Sequence, residues 1–82
     1  MYRASDAVEH EAWVAELEAA AADLDLDAGT TATARDIFLS AVPDAERSRR
    51  PAVAASLYAG ALIAGDGRTQ TAVADAVGVS RL

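Results

Sequence analysis

The sequence predicts an all-α bundle of four helices and the start of a fifth, and three observations carry that expectation. Ala occupies 22 of the 82 positions, and Ala has the highest helix propensity of any residue. Four segments repeat apolar residues at spacings of three and four, the period of one helix face. Between them stand Gly, Pro, Asp and Thr where helices stop, turn and are capped.

Ser5 is the expected N-cap of the first helix, because its hydroxyl can accept an otherwise unpaired amide hydrogen, and Asp6 follows in the dipole-favoured first turn. That helix runs to about Leu24. Trp13, Val14, Leu17, Ala20, Ala21 and Leu24 form its packing face, and Glu9, Glu11, Glu16, Glu18 and Asp23 lie mostly elsewhere. His10 falls one turn before Trp13 and Val14, where edge packing is the expectation rather than ligand binding. Asp23, Asp25 and Asp27 alternate with leucines, as oxygens do at the opening of a calcium loop. The match ends there. With Asp23 in the first position, Ala28 stands where that loop needs glycine and Ala34 where it needs a bidentate Glu. A helix end and an acidic turn, with Leu24 and Leu26 turned inward, are expected instead.

Thr30 or Thr31 is placed to cap the second helix, whose face is Ala34, Ile37, Phe38 and Ala41 and whose stop is Pro43. Pro43 to Arg50 reads as a polar connector, with Ser48 as the next cap and Pro51 early in the third helix. That helix, from about Pro51 to Ala64, carries Val53, Ala54, Ala55, Leu57, Tyr58, Ala61, Leu62 and Ile63 and no charge, which predicts burial on every side. Gly60 costs about 1 kcal/mol relative to Ala inside a helix, so its presence predicts a close contact between helices. Gly65, Asp66 and Gly67 form the next turn; with no Walker lysine and no preceding strand, they do not make a phosphate cradle of that type. Thr69 caps a fourth helix from about Gln70 to Val77, with Val73, Ala76 and Val77 inward. Gly78 is placed for a left-handed residue, Val79 for a buried turn residue and Ser80 for the N-cap of the fifth helix.

Composition narrows the function classes. The chain has no Cys, which removes disulfide frameworks and Cys-ligated metal sites. Leu, Ile, Val and Phe number only 17, so the expected core is tight and built on small-residue contacts. A core of this size supplies roughly 3 to 5 kcal/mol, which a partner, a further segment or high salt would supplement. No apolar run approaches a membrane span and the amino terminus lacks a signal-peptide pattern. The expectation is a soluble, cytoplasmic protein with no membrane partner. Thirteen acids stand against seven cations, all of them Arg, for a net charge of -6. That acid-rich, Lys-free composition resembles proteins of salt-loving archaea, where a carboxylate surface stays hydrated. At molar salt the Debye length is about 3 Å, so an acidic surface does not by itself call for a basic partner.

The charge reverses along the chain. Residues 1–46 hold 11 acids and 2 Arg, and residues 47–82 hold 5 Arg and 2 Asp. One reading is solvation of the first part and chance in the second. The other is that Arg47, Arg49, Arg50, Arg68 and Arg81 form one face touching nucleic acid or an acidic partner.

Arg68-Thr69-Gln70-Thr71-Ala72-Val73-Ala74-Asp75-Ala76-Val77-Gly78-Val79-Ser80 has the layout of a helix-turn-helix. That motif needs a small residue where its helices touch (Ala74), a glycine four positions later, an apolar plug and then a cap. Any two helices meeting at a glycine turn can show the same layout. Ser48-Arg49-Arg50-Pro51, Val53 to Tyr58, Arg68-Thr69-Gln70, Val73-Ala74-Asp75 and Val77 to Ser80 together resemble the second cyclin-like repeat of archaeal transcription factor B, the counterpart of eukaryotic transcription factor IIB. Ala34, Ile37 and Ala41 are similar to the preceding helix of that repeat. The resemblance covers about 50 residues and the first helix only by pattern. It implies a cyclin-box-like bundle with a helix-turn-helix at the C-terminal end, and promoter DNA and TATA-binding protein as partners.

The family pattern differs in three ways: the stretch from Pro51 to Tyr58 is shorter, a single repeat is present without a zinc ribbon, and the recognition helix lies beyond Arg81-Leu82. The whole sequence is therefore expected to be one cyclin-like domain, either a fragment truncated at its C-terminus or a pairing module. Without that helix, the apolar faces of the third and fourth helices would favour dimerisation or binding of another helix.

Candidate DNA contacts are Arg68, Thr69 and Gln70 at the start of the fourth helix and Ser80 and Arg81 at the start of the fifth. Arg49 and Arg50 join them, with solvent exposure or pairing with acids of the first helix as the equal alternative. Helix N-termini and Arg side chains suit phosphate contacts, which position a protein without reading sequence. A protein interaction or dimerisation module without DNA binding is the alternative function. An enzyme is not expected: there is one His, no Cys, no paired carboxylates on a buried face, and nothing that names a cofactor, a metal or a small-molecule substrate.

Overall fold

The computed structural model describes the backbone of residues 4–79 and the side chains of residues 10–79. Its elements are α1 (Ala4–Asp23), α2 (Ala28–Ser40), a single 3-10 turn (Glu46–Ser48), α3 (Arg49–Ile63) and α4 (Gln70–Val77). The domain is all-helical, with no strand among the described residues. The expected start of a fifth helix at Ser80 lies outside them.

α1 begins before its expected cap. Ala4 is already helical, so Ser5 belongs to the first turn and does not precede it. Leu17, Ala20, Ala21 and Leu24 are buried as expected, and Trp13 and Val14 are half-buried.

The alternating aspartates have two separate local roles. Asp25 adopts a left-handed conformation, φ 59°, and the Asp25 and Leu26 amides donate to the carbonyls of Ala22 and Ala21. Those two bonds satisfy the last carbonyls of α1 in a Schellman arrangement, with Asp where glycine is usual. Asp27 is the N-cap of α2, and its Oδ1 accepts the Thr30 amide at 2.7 Å. The expected caps Thr30 and Thr31 are therefore displaced by a residue that caps at least as well. Thr30 is buried, and Thr31 Oγ1 donates to the Asp27 carbonyl.

Phe38 and Ala34 of α2 are buried, Ile37 is half-buried, and Ala41 is exposed. α2 ends at Ser40, and Ala41 leaves the helical conformation with φ -148°, which turns it off the expected face. α3 starts two residues before Pro51, because the 3-10 turn leads straight into it. Ser48 holds the cap position with helical angles and makes no side-chain capping bond.

Burial of α3 on every side is not observed. Val53, Ser56, Leu57, Gly60 and Ala61 are buried, whereas Ala55, Leu62 and Ile63 are exposed, Ile63 to 71%. The other helices of a domain this small cover one face and part of a second. Ala can fill the remaining positions without charge because it has little apolar area to hide. Gly60 does mark a close approach: a Cβ placed there would lie 3.0 Å from the N, Cα and Cβ of Ala34. Gly65, at φ 76°, closes α3 with the same pair of bonds as Asp25, from Gly65 to Leu62 and from Asp66 to Ala61.

α4 has the expected bounds. Thr69 Oγ1 accepts the Ala72 amide at 3.0 Å, and Gly78 is left-handed at φ 87°, with the Gly78 and Val79 amides both donating to the Ala74 carbonyl. Val73, Ala74 and Val77 are buried, and Ala76 and Val79 are half-buried. One core results, in which Leu17 and Leu24 of α1, Phe38 of α2, Val53 and Leu57 of α3, and Val73 and Val77 of α4 meet.

Candidate functional site

Three of the arginines expected at a binding face make bonds within the fold. Arg50, in the first turn of α3, bonds Glu16 through Nη1 at 2.9 Å and Nη2 at 3.3 Å, and Nη1 also donates to the Val77 carbonyl at 3.0 Å. Its guanidinium carbon lies 5.1 Å from the centre of the Trp13 ring, within cation–π range. One side chain thus holds α1, α3 and the end of α4 together. The Val77 carbonyl is among those left unpaired at a helix C-terminus, where a positive charge also complements the dipole. The pairing with acids of the first helix, weighed above as the alternative for Arg50, is present at Glu16.

Arg68 stands in the loop before α4. Its Nε donates to the Leu24 carbonyl at 3.1 Å, and Nη1 donates to the Asp66 carbonyl at 3.0 Å and to Asp66 Oδ1 at 2.6 Å. It therefore fastens the α3–α4 loop to the end of α1. Arg49 bonds the carbonyls of Pro43 and Asp44 through Nε and Nη2 and fixes the chain that leads into α3. Arg47 is exposed.

Thr69 and Gln70 are exposed at the N-terminus of α4, where Thr69 serves as the cap. Backbone amides at this end of a helix carry partial positive charge. Ser80 and Arg81 lie outside the described residues. Among the described residues, the three bonded arginines reach different parts of the fold. Arg50 acts at the C-terminal end of α4, Arg68 behind its N-terminal end, and Arg49 against the connector.

A shallow apolar groove of about 270 Å³ runs between α3 and α4, lined by Ala54, Ala55, Tyr58, Gln70, Val73 and Ala74. The sequence indicated apolar surface on these two helices but not that Gln70 would stand on its border. Of the titratable groups, Asp27 has its carboxyl held below the usual range, chiefly by the backbone Thr30 amide that it accepts. That charge is used by the α2 cap. Trp13 and Glu16, which hold Arg50, were read only as a packing residue and a solvated acid; their spacing of one turn on α1 was the available signal. Comparison of the chain with protein-family models, curated proteins and solved structures finds no match among them.

Proposed function

We propose that the chain is a cyclin-box-like, transcription factor IIB-like module acting in transcription initiation or its regulation, with promoter DNA and TATA-binding protein as partners. The observation that supports this most is the geometry of α4. It is capped by Thr69, buried through Val73, Ala74 and Val77, and followed by a left-handed Gly78 whose amide returns to the Ala74 carbonyl. A capped helix with a small buried residue and a glycine turn is what the helix-turn-helix reading asks of this segment, and that supports it. In this reading the Thr69 and Gln70 end of α4 meets a phosphate, and Ser80 and Arg81 meet the next. Arg68 and Arg50 hold the two ends of α4 in place, and Arg49 holds the approach to α3. The reading includes no enzymatic step and no cofactor.

The test is binding to duplex DNA carrying a TATA element, with and without TATA-binding protein, over a range of salt. Binding should weaken with salt, and Gln70→Ala and Arg81→Ala should each lower affinity, the latter reducing the salt slope by about one. Arg68→Ala is a poorer probe, because it also removes the bond to Leu24. Unchanged affinity in both variants would refute the site assignment.

The open α3–α4 groove and the exposed Leu62 and Ile63 favour a second reading, a protein interaction or dimerisation module without DNA binding. It predicts a stable dimer in sedimentation and no DNA binding at low salt.

A further inference from the structure

Leu62 and Ile63 stand on the outer side of α3, 54% and 71% exposed. Leu62 continues a stripe of Pro51, Ala55, Tyr58 and Ala59, whose spacing is that of one helix face. Pro51, Ala55 and Leu62 are exposed, and Tyr58 and Ala59 are half-buried. From Pro51 to Ile63, α3 carries no charged residue. The other helices differ: Glu11, Glu16, Glu18 and Asp23 are exposed on α1, Asp36 on α2 and Asp75 on α4. In a chain of net charge -6, two copies repel across those carboxylates and meet without that repulsion across α3.

We propose that a second copy of the chain covers this stripe, the two α3 helices packing antiparallel about a two-fold axis beside Tyr58 and Ala59. Leu62 and Ala55 lie about two turns apart on one face, so an axis midway between them sets each Leu62 over the partner's Ala55. Large against small, repeated by symmetry, is the self-complementarity that a two-fold contact needs. Charge selects the antiparallel direction. α3 begins with Arg49 and Arg50, just after the exposed Arg47, and the C-terminal end of a helix is the negative end of its dipole. Antiparallel packing brings these unlike ends together, whereas parallel packing would cluster the arginines of both copies. Asp66 and Arg68, just beyond the C-terminal end, pair with each other and add no net charge. Ala55 and Tyr58 also line the groove beside α4, so the apolar surface continues past the stripe. The proposal rests on the dimerisation reading above and gives it a surface.

The test is sedimentation equilibrium of the 82-residue chain up to millimolar concentration at low and high salt, with circular dichroism confirming that each variant is folded. Association should strengthen as salt rises, because screening removes the repulsion between copies while the apolar contact persists; a dimer that weakens with salt is held by ion pairs elsewhere and overturns the proposal. Leu62→Glu puts two carboxylates into the contact and should weaken association by about ten-fold or more. Ala55→Glu should do the same. Leu39→Glu, an equal charge change at an exposed leucine of α2, should have a much smaller effect. The chain has no Cys, so single cysteines report the register. Ala59→Cys, beside the axis, should give a disulfide-linked dimer under mild oxidation. Ala55→Cys should not, because its mate lies about 10 Å away along the helix and a disulfide needs α-carbons within about 7 Å. A chain that stays monomeric throughout overturns both this surface and self-pairing in the dimerisation reading. A dimer that Leu62→Glu weakens no more than Leu39→Glu, or that links through Ala55→Cys rather than Ala59→Cys, keeps that reading and overturns this surface.

Discussion

Replacing Gly60 with Ala sets two effects of known sign against each other. Ala in place of Gly inside a helix is worth about 1 kcal/mol in favour of folding, because the unfolded chain loses freedom and the helix gains a better former. The new Cβ, however, would stand 3.0 Å from three atoms of Ala34, two of them backbone, where ordinary contact begins at 3.4 Å. Helix backbone cannot rotate aside as a long side chain can. α2 and α3 must therefore separate by several tenths of an ångström, which loosens Phe38 against Leu57 and Val53 in the shared core. Overpacking of this kind costs about 1 to 3 kcal/mol. The contact wins, leaving a net loss of about 1 kcal/mol, or a melting temperature lower by about 4 to 8 °C in a domain of this size. Thermal unfolding followed by helical circular dichroism, at fixed salt, measures it. In a double-mutant cycle, Ala34→Gly removes one of the three contacted atoms, so Gly60→Ala should cost less in the Ala34→Gly background than in the parent, although Ala34→Gly itself destabilises α2. A Gly60→Ala protein that melts at or above the parent temperature would refute the argument, since propensity alone predicts that result.

Other expectations follow from single interactions. Thr69→Ala removes the acceptor for the Ala72 amide and should cost about 1 kcal/mol, with faster hydrogen exchange at Ala72, while Thr69→Ser should be nearly neutral. Leu57→Ala, at a fully buried position, should cost about 2 to 5 kcal/mol, comparable to the whole stability expected of a core this small, and helical signal should be largely lost on mild warming. Arg50→Ala should cost about 1 kcal/mol, mainly from the Trp13 ring and the Val77 carbonyl, because an ion pair as exposed as Arg50–Glu16 contributes little; Trp13 fluorescence should change with it. Asp27 makes a stability contribution that is full above the ordinary carboxylate range and is lost as pH falls through its lowered folded-state pKa. Asp27→Asn keeps a capping oxygen and should flatten that acid-side decline in a pH series of melts.

The helices were legible in the sequence wherever one face had to be apolar and one local signal marked the end. α4 is the clearest case: Thr69 and Gly78 fix its limits because a cap and a left-handed residue are local requirements, independent of the rest of the chain. Position 60 was legible for a similar reason, since glycine inside a helix carries a cost that a close contact offsets. The α1–α2 turn was less so. Three aspartates in alternation look like one acidic cluster, yet one takes a left-handed angle, one caps α2, and neither role is visible in composition. The exposed side of α3 was misread because an uncharged run suggests burial all round, whereas coverage depends on how many helices remain to pack against it. Of the candidate site, the N-terminal end of α4 could be placed from sequence. The partners of Arg50 and Arg68 could not, because Glu16 and Leu24 are brought to them only by tertiary packing.

The use of these arginines changes what the charge reversal along the chain means. Counted along the sequence, the arginines after residue 46 look like a basic face opposed to an acidic first half. In the fold, Arg50 crosses to Glu16, and Arg35 of α2 crosses to Glu18, so the two flanks of α1 are each joined to a neighbouring helix by one cation. Arg49, Arg50 and Arg68 also each bond at least one backbone carbonyl, at Pro43, Val77 and Leu24. A guanidinium can make such contacts together because its donors lie in a fixed planar fork, whereas a lysine ammonium is a single flexible point charge. Hydrogen bonds to carbonyls are also less sensitive to salt than exposed ion pairs, which screening weakens. A chain with many carboxylates and no lysine therefore uses arginine to fasten helix ends as much as to balance charge. In the proposed reading, a phosphate contact at the N-terminal end of α4 would draw on the amides and side chains at Thr69 and Gln70, with Arg68 holding that end in position.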